Sequence, residues 1–315
     1  MVNKIAFLFP GQGSQFVGMG KDLYDNCEAA KHVFTVADNT LNKSISKLCF
    51  EGPEDALKQT INTQPAIVTM SIAALEAFKS KLNISPSFVA GHSLGEYCAM
   101  YCSGVMNLET TFKAIQKRAD LMSEVKGGSM AAVLNAPEGS VEKAVKEASK
   151  AGYVDIANYN SPVQVVLTGD EEAVKKAGEI LLEAGARKVV PLAVSGAFHS
   201  KYVENAGKHF EEFVNSLEIS DVTVPVITNV DAAPTTFASD FKNKMPRQIY
   251  SSVHWTQTIE YMLKEGVDTF IEIGPGKVLA GLNKKIAPEA KVYNIFDFES
   301  LEKTVLSLQE ELATV

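Results

Sequence analysis

The stretch Phe88-Val-Ala-Gly-His-Ser-Leu-Gly-Glu-Tyr97 decides the fold expected of this chain. Ser85-Pro86 marks a turn, and the apolar run Phe88 to Ala90 after it has the composition of a buried strand. Gly91-His92-Ser93-Leu94-Gly95 then fits the G-x-S-x-G pattern, and an apolar helical segment runs from Leu94 to about Cys102. In that pattern the chain turns sharply from strand to helix, which lifts the serine out and needs small residues on either side of it. Ser93 would stand at a helix N-terminus, where unpaired N–H groups and the macrodipole favour a nearby oxyanion. With Gly and Ser each near 7% usage, three such positions recur by chance in roughly one chain in ten of this length. The strand-turn-helix setting, more than the pentapeptide, makes Ser93 a candidate nucleophile.

Composition narrows the class. The chain has 315 residues, 46% hydrophobic and 22% charged, with a net charge of −8. This is the make-up of a globular protein, and the acidic balance without a basic, aromatic-interleaved stripe argues against nucleic acid. Cys27, Cys49, Cys98 and Cys102 form no C-x-x-C pair and have no histidine at zinc spacing, so buried thiols are expected. Met1 to Phe9 is too short an apolar run for a signal segment, and nothing approaches the eighteen apolar residues of a membrane span. A cytoplasmic monomer is expected.

On either side of the elbow, strands alternate with helices. Ile5 to Phe9 is a strand running into Pro10-Gly-Gln-Gly-Ser-Gln15. A dinucleotide-binding reading of Gly11 and Gly13 fails because the third glycine position is Phe16. Asn62 or Thr63 is placed to cap a helix beginning at Gln64-Pro65, and Asn107 to cap one running to about Val125. Arg118 lies beside the apolar stripe of that second helix, one of three arginines against 27 lysines. It suits either a planar, bidentate partner such as a carboxylate or a structural acid reached by snorkelling.

Residues 127–194 change texture after Gly127-Gly128 and read β-α-β-β-α-β, with Asp170 capping the second helix, as in the ferredoxin-like motif. The rest alternates strand and helix, so the expectation is an α/β-hydrolase-like core of mostly parallel sheet with a nucleophile elbow, made of residues 1–126 and 195–315. Residues 127–194 form an inserted ferredoxin-like subdomain.

A serine needs a base. Among five histidines, His32 and His209 read as surface residues and His92 as framework, because it adjoins Ser93. His199 stands on the loop that re-enters the core, just before a helix whose positive end keeps an imidazole neutral. It is the preferred base, with His254 second.

Six motifs, Phe9-Pro-Gly-Gln-Gly-Ser-Gln15, Gly91-His-Ser-Leu-Gly-Glu96, Gln116-Lys-Arg118, Asn158-Tyr-Asn-Ser-Pro162, Gly196-Ala-Phe-His199 and Ile273-Gly-Pro-Gly-Lys277, stand in one order. Together they resemble the malonyl-CoA:acyl carrier protein transacylases, over essentially the whole chain. That resemblance implies ping-pong acyl transfer through a malonyl ester of Ser93 with His199 as base. It also implies an oxyanion hole from the N–H groups of Gln12 and Leu94, and Arg118 pairing with the malonyl carboxylate. His92, Gln64, Asn160 and Phe198 would line the pocket, and the main-chain carbonyl of His254 would orient His199. No cofactor is implied beyond the coenzyme A thioester substrate. The acidic carrier protein would need a basic patch, for which Lys284-Lys285 and Lys201 are candidates. A serine thioesterase or esterase, or a transacylase of polyketide synthesis, would use the same elbow.

Overall fold

The computed structural model describes residues 4–194 and 196–313. Ser195, where the sequence places the return to the core, lies outside them. In chain order the strands are β1 (Lys4–Phe9), β2 (Phe88–Gly91), β3 (Ser129–Leu134), β4 (Val154–Ser161), β5 (Gln164–Gly169), β6 (Lys188–Pro191), β7 (Val226–Ile227), β8 (Pro234–Thr235), β9 (Val267–Ile273) and β10 (Lys291–Ile295). They form a six-stranded sheet in the order β10-β9-β1-β2-β7-β8 and a four-stranded one in the order β4-β5-β3-β6. The larger sheet is parallel except for the short β7–β8 pair; the smaller is antiparallel throughout.

After Lys4, β1 is a continuous apolar run, and β9 is buried at every position but Asp268, as expected of central strands in a sheet covered on both faces. The helix Thr60–Lys81 is buried on every side from Thr63 to Leu75, which explains its lack of a polar face. It begins a turn earlier than the expected start at Gln64-Pro65: Asn62 and Thr63 already donate to the Gln59 carbonyl, so neither is the cap. Pro65 therefore sits inside the helix, where its ring removes one ladder donor but its φ still suits the spiral. Asn107 caps the helix Leu108–Glu124 as expected, its Oδ1 accepting from Thr110 N at 2.8 Å. Asp170 is the N-cap residue of the helix Glu171–Glu183, as expected, and its carbonyl accepts from Val174 N at 2.8 Å, but its side chain makes no capping bond. Its carboxylate instead accepts from Tyr153 N at 2.6 Å and from the Tyr202 hydroxyl, tying the smaller sheet to the segment after residue 195.

The smaller sheet is fastened to the rest by main-chain bonds. Tyr159 N donates to the Val253 carbonyl and Val253 N to the Ala157 carbonyl, at 2.9 and 2.8 Å. Thr168 Oγ1 donates to the Phe198 carbonyl at 2.9 Å. One side of the site is thus built from each sheet. Among the described residues no helix is long and apolar enough to cross a membrane.

The junction of β2 with the helix Gly95–Ser103 is where packing is tightest. A Cβ on Gly91 would lie 2.0 Å from the Gly95 carbonyl, and one on Gly95 would lie 2.3 Å from the carbonyl oxygen of Phe9 at the end of β1. Both obstacles are backbone, which cannot rotate away. Gly95→Ala should therefore cost about 3 kcal/mol or leave no folded protein. A urea-unfolding midpoint equal to that of the parent chain would contradict this.

Candidate active site

At that junction Ser93 takes a left-handed φ of 51°, which non-glycine residues adopt only where surrounding contacts hold them. The strain turns Oγ out of the sheet edge to within 2.8 Å of His199 Nε2. His199 is itself left-handed, with φ of 53°, on the loop pinned by Thr168. Its Nδ1 lies 3.1 Å from the Gln248 carbonyl and 3.0 Å from the Ser251 carbonyl. Both are acceptors, so the proton sits on Nδ1, and Nε2 is left with a lone pair facing the serine hydroxyl.

These carbonyls replace the one expected of His254. Gln248 belongs to the last turn of the helix Ala238–Tyr250 and Ser251 is its C-cap, where carbonyls lack partners within the helix. His254 is instead the residue before the next helix, Trp255–Lys264: its carbonyl accepts from Thr258 N and its ring stacks on Tyr159, with centroids 5.2 Å apart. It is neither base nor orienting group.

Arg118 is fully buried, at 1% exposure, while Arg187 and Arg247 are exposed. Its Nη1 donates to Gln64 Oε1 at 2.6 Å; Nη2 donates to Ser93 Oγ and to Gln248 Oε1, each at 3.1 Å. Every one of these partners is neutral. Nε has no partner, and among the described residues no carboxylate lies within ion-pair distance. An unpaired guanidinium in a dry site is costly, and the cost falls when an anion enters.

Burial, the Arg118 charge and His92 together pull the His199 pKa down from 6.5 to about 3, so the imidazole is neutral over the whole physiological range. Burial also lowers the pKa of His92, whose Nε2 pairs with Asn160 Oδ1 at 2.8 Å and whose ring tilts against Trp255 at 5.6 Å. Glu96, one turn beyond Ser93, is pushed up to about 8, chiefly by burial.

These groups surround a cavity of about 120 Å³. Gln12, Gln64, His92, Ser93, Arg118, Phe198 and His199 line it as expected, with Met122, Met130, Leu192 and Val194 as an apolar wall. Asn160 does not line it: it lies behind, on His92, and the lining asparagine is Asn158. Two residues apart, they would share a face in a regular strand, but the pairing of β4 with β5 slips between Tyr159 and Ser161, and there the two side chains part. Among the described residues the N–H groups of Gln12 and Leu94 have no protein acceptor. A larger groove elsewhere, of about 450 Å³ among Glu147, Lys150, Glu172 and Lys176, is lined by solvated charges and holds no such constellation. Among the described residues no group of three or more His, Cys, Asp or Glu could hold a metal.

Sequence reasoning missed two residues. Asn229 Oδ1 accepts from Ser93 N at 2.8 Å and Nδ2 donates to the Gly91 carbonyl at 2.7 Å. Gln248 Nε2 donates to the Ser93 carbonyl at 2.6 Å. Asn229 could have been suspected, since it follows β7 at the carboxyl edge of a parallel sheet, where sites collect. Gln248 lies mid-pattern on an amphipathic helix and carries no comparable signal.

A strained serine, a neutral histidine and free N–H groups at a parallel sheet edge are the parts of an acyl transferase, and the acyl transferase domain family matches residues 6–295. The chain is 43% identical over 314 residues to the malonyl CoA-acyl carrier protein transacylase of Bacillus subtilis, covering 98% of this chain and 99% of the relative. Its fold is similar to the crystal structure of the Clostridium perfringens malonyl CoA-acyl carrier protein transacylase, with 39% identity, TM-score 0.94 and 99% coverage of each chain. It is also similar to a malonyl-transacylase solved with a type II PKS acyl-carrier protein, with 35% identity, TM-score 0.93 and 96% and 99% coverage. The chain belongs to the malonyl CoA-acyl carrier protein transacylase family.

The depressed histidine sets a pH dependence. Between about 3 and 6.5 the unfolded chain holds a proton on His199 that the folded one does not, so its contribution to stability rises with pH through that window and is lost toward its lower end. The imidazole is already unprotonated well below 6.5. If His199 is the base, the acid limb of kcat/KM should therefore lie far under 6.5, and a midpoint near 6.5 would contradict the burial argument.

Proposed function

We propose that the chain moves a malonyl group from coenzyme A to the phosphopantetheine thiol of acyl carrier protein, through an ester on Ser93. The observation that carries this is Arg118: a buried guanidinium with only neutral partners, bonded to the nucleophile itself. A site for neutral esters or thioesters gains nothing from that charge. A malonyl group brings a free carboxylate that would pair with it by charge-assisted bonds while its thioester carbon sits beside Ser93.

The chemistry follows from the geometry. His199 Nε2 takes the Ser93 proton as Oγ attacks the thioester carbonyl, and the N–H groups of Gln12 and Leu94 receive the oxyanion. Collapse expels the coenzyme A thiolate, which takes the proton from His199. In the second half the carrier thiol gives its proton to His199, attacks the ester, and Ser93 leaves with that proton. The Gln248 and Ser251 carbonyls hold the imidazole and stabilise its transient charge, in place of a carboxylate. Gln64 holds Arg118, Phe198 and His92 shape the pocket, and Asn160 fixes the His92 ring.

We read residues 1–126 and 195–315 as the α/β-hydrolase-like core and 127–194 as a ferredoxin-like subdomain. The small sheet's order supports the latter: by their order in that unit the strands lie second, third, first, fourth. Fatty-acid synthesis in the cytoplasm, by a monomer without bound cofactor, completes the reading. A polyketide carrier is the second reading, favoured by the relative solved with one. For the acidic carrier, Lys285 and Arg187 line a cleft of about 440 Å³ between the two sheets' helices and turns. Lys201, over the Tyr153 ring at 4.0 Å, adds charge beside the His199 loop.

Brief incubation with malonyl-CoA should add one malonyl group by intact mass, and Ser93→Ala should abolish it. Free malonate accumulating with no adduct would identify a hydrolase instead. Arg118→Ala should lower kcat/KM for malonyl-CoA about 100-fold or more, as expected for a buried charge-assisted pair, while sparing acylation by acetyl-CoA. Equal loss on both substrates would remove the carboxylate role.

A further inference from the structure

Gln248 touches three reacting groups at once. Its main-chain carbonyl accepts from His199 Nδ1, its Oε1 accepts from Arg118 Nη2, and its Nε2 donates to the Ser93 carbonyl at 2.6 Å. The last contact has a consequence for the neighbouring residue. The Ser93 carbonyl and the Leu94 N–H belong to one peptide group, planar and trans, so they point in opposite directions. A donor that fixes the carbonyl also fixes where the Leu94 N–H points.

The peptide group on the other side of Ser93 is held as well. Asn229 Oδ1 takes the Ser93 N–H at 2.8 Å, its Nδ2 holds the Gly91 carbonyl at 2.7 Å, and its own N–H is anchored by the buried Glu96 Oε2 at 2.6 Å. The Ser93 N–H is thereby occupied. Of the two consecutive N–H groups at the elbow, the Leu94 N–H is the one without an acceptor among the described residues. The Gly95 and Glu96 N–H groups also hold the His92 and Ser93 carbonyls, at 3.0 and 3.1 Å, and two carboxamides buried to 1% exposure each add a second hold on both peptide planes around a serine whose φ of 51° is intrinsically unfavourable.

We propose that the Gln248 side chain is a positioning residue for the oxyanion hole, aiming the Leu94 N–H at the thioester oxygen, with Asn229 keeping the Ser93 N–H out of it. This rests on the acyl-Ser93 reading above. It is distinct from the carbonyl that orients His199, because a substitution of the side chain leaves that carbonyl in place. It is also distinct from a mere tether for Arg118, because a substrate without a free carboxylate should feel it equally.

The test is Gln248→Met, which keeps the shape and the main chain but removes both the donor and the acceptor. Pre-steady-state acylation of Ser93 by malonyl-CoA and by acetyl-CoA is followed by quench and intact mass across pH. Loss of a whole oxyanion donor costs about 10²–10³ in kcat, so a misaimed one should cost about 10- to 100-fold. That fall is expected in kcat on both substrates, with KM for acetyl-CoA and the acid limb of the pH profile unchanged. A loss confined to malonyl-CoA, an unchanged rate on acetyl-CoA, or a displaced acid limb would each overturn the proposal. If Gln248→Met does not fold, Gln248→Glu keeps the acceptor toward Arg118 and removes the donor toward Ser93. The same fall on acetyl-CoA is expected there, and parent-like acylation overturns the idea. A parent chain that forms no acyl-Ser93 would instead sink the functional reading.

Discussion

Everything at this site depends on how closely backbone approaches backbone where β2 passes into its helix. A Cβ at Gly91 or Gly95 would fall 2.0–2.3 Å from main-chain atoms of the elbow and of β1. Contact that tight brings the ends of β1, β2 and β7 together at one edge of the parallel sheet, and each delivers a functional group: Gln12 after β1, Ser93 after β2, Asn229 after β7. Carbonyls and N–H groups freed where strands end are available there for capture, which is why open α/β sheets place sites at their carboxyl edge.

The electrostatics are arranged around one uncompensated charge. Arg118 is buried against neutral donors and acceptors and over the Tyr97 ring, whose centroid is 5.7 Å from its guanidinium carbon. That charge helps keep His199 neutral, and the two requirements agree, since a base must be unprotonated before it can act. Carbonyls rather than a carboxylate behind His199 fit the same logic. An acid there would lie near Arg118 and compete with a substrate carboxylate for it. The carbonyl ends of the helix Ala238–Tyr250 polarise the imidazole from the negative pole of a helix, with no net charge to compete.

Some of this was legible in the chain because it is local. The elbow, the Asn107 cap and the β-α-β-β-α-β order follow from residues within a few positions of one another, where small-residue spacing, side-chain capping and apolar runs act directly on the backbone. Where local preference met tertiary packing, it gave way. The helix at Thr60 starts before its proline because burial on all sides outweighs one lost donor, and the N-cap residue Asp170 turns its carboxylate from its own helix to Tyr153 and Tyr202 across the junction of the two sheets. The pocket asparagine was misplaced by two residues along β4 because Asn158 and Asn160 are chemically alike and only the packing of β4 decides which of them reaches the cavity.

The sequence by itself determined that this chain has a strained serine at a strand-to-helix turn, a parallel sheet to carry it and one arginine at the edge of an apolar helix stripe. Those are consequences of nearest-neighbour sterics and of periodicity. Only the tertiary structure decided that His199 is the partner of Ser93, 106 residues away, that Gln248 holds the Ser93 carbonyl from 155 residues away, and that carbonyls at a helix end stand where His254 was expected. Contacts at such separations depend on how helices and loops dock on the sheet. No local pattern of residues encodes which carbonyl or carboxamide will arrive within 3 Å.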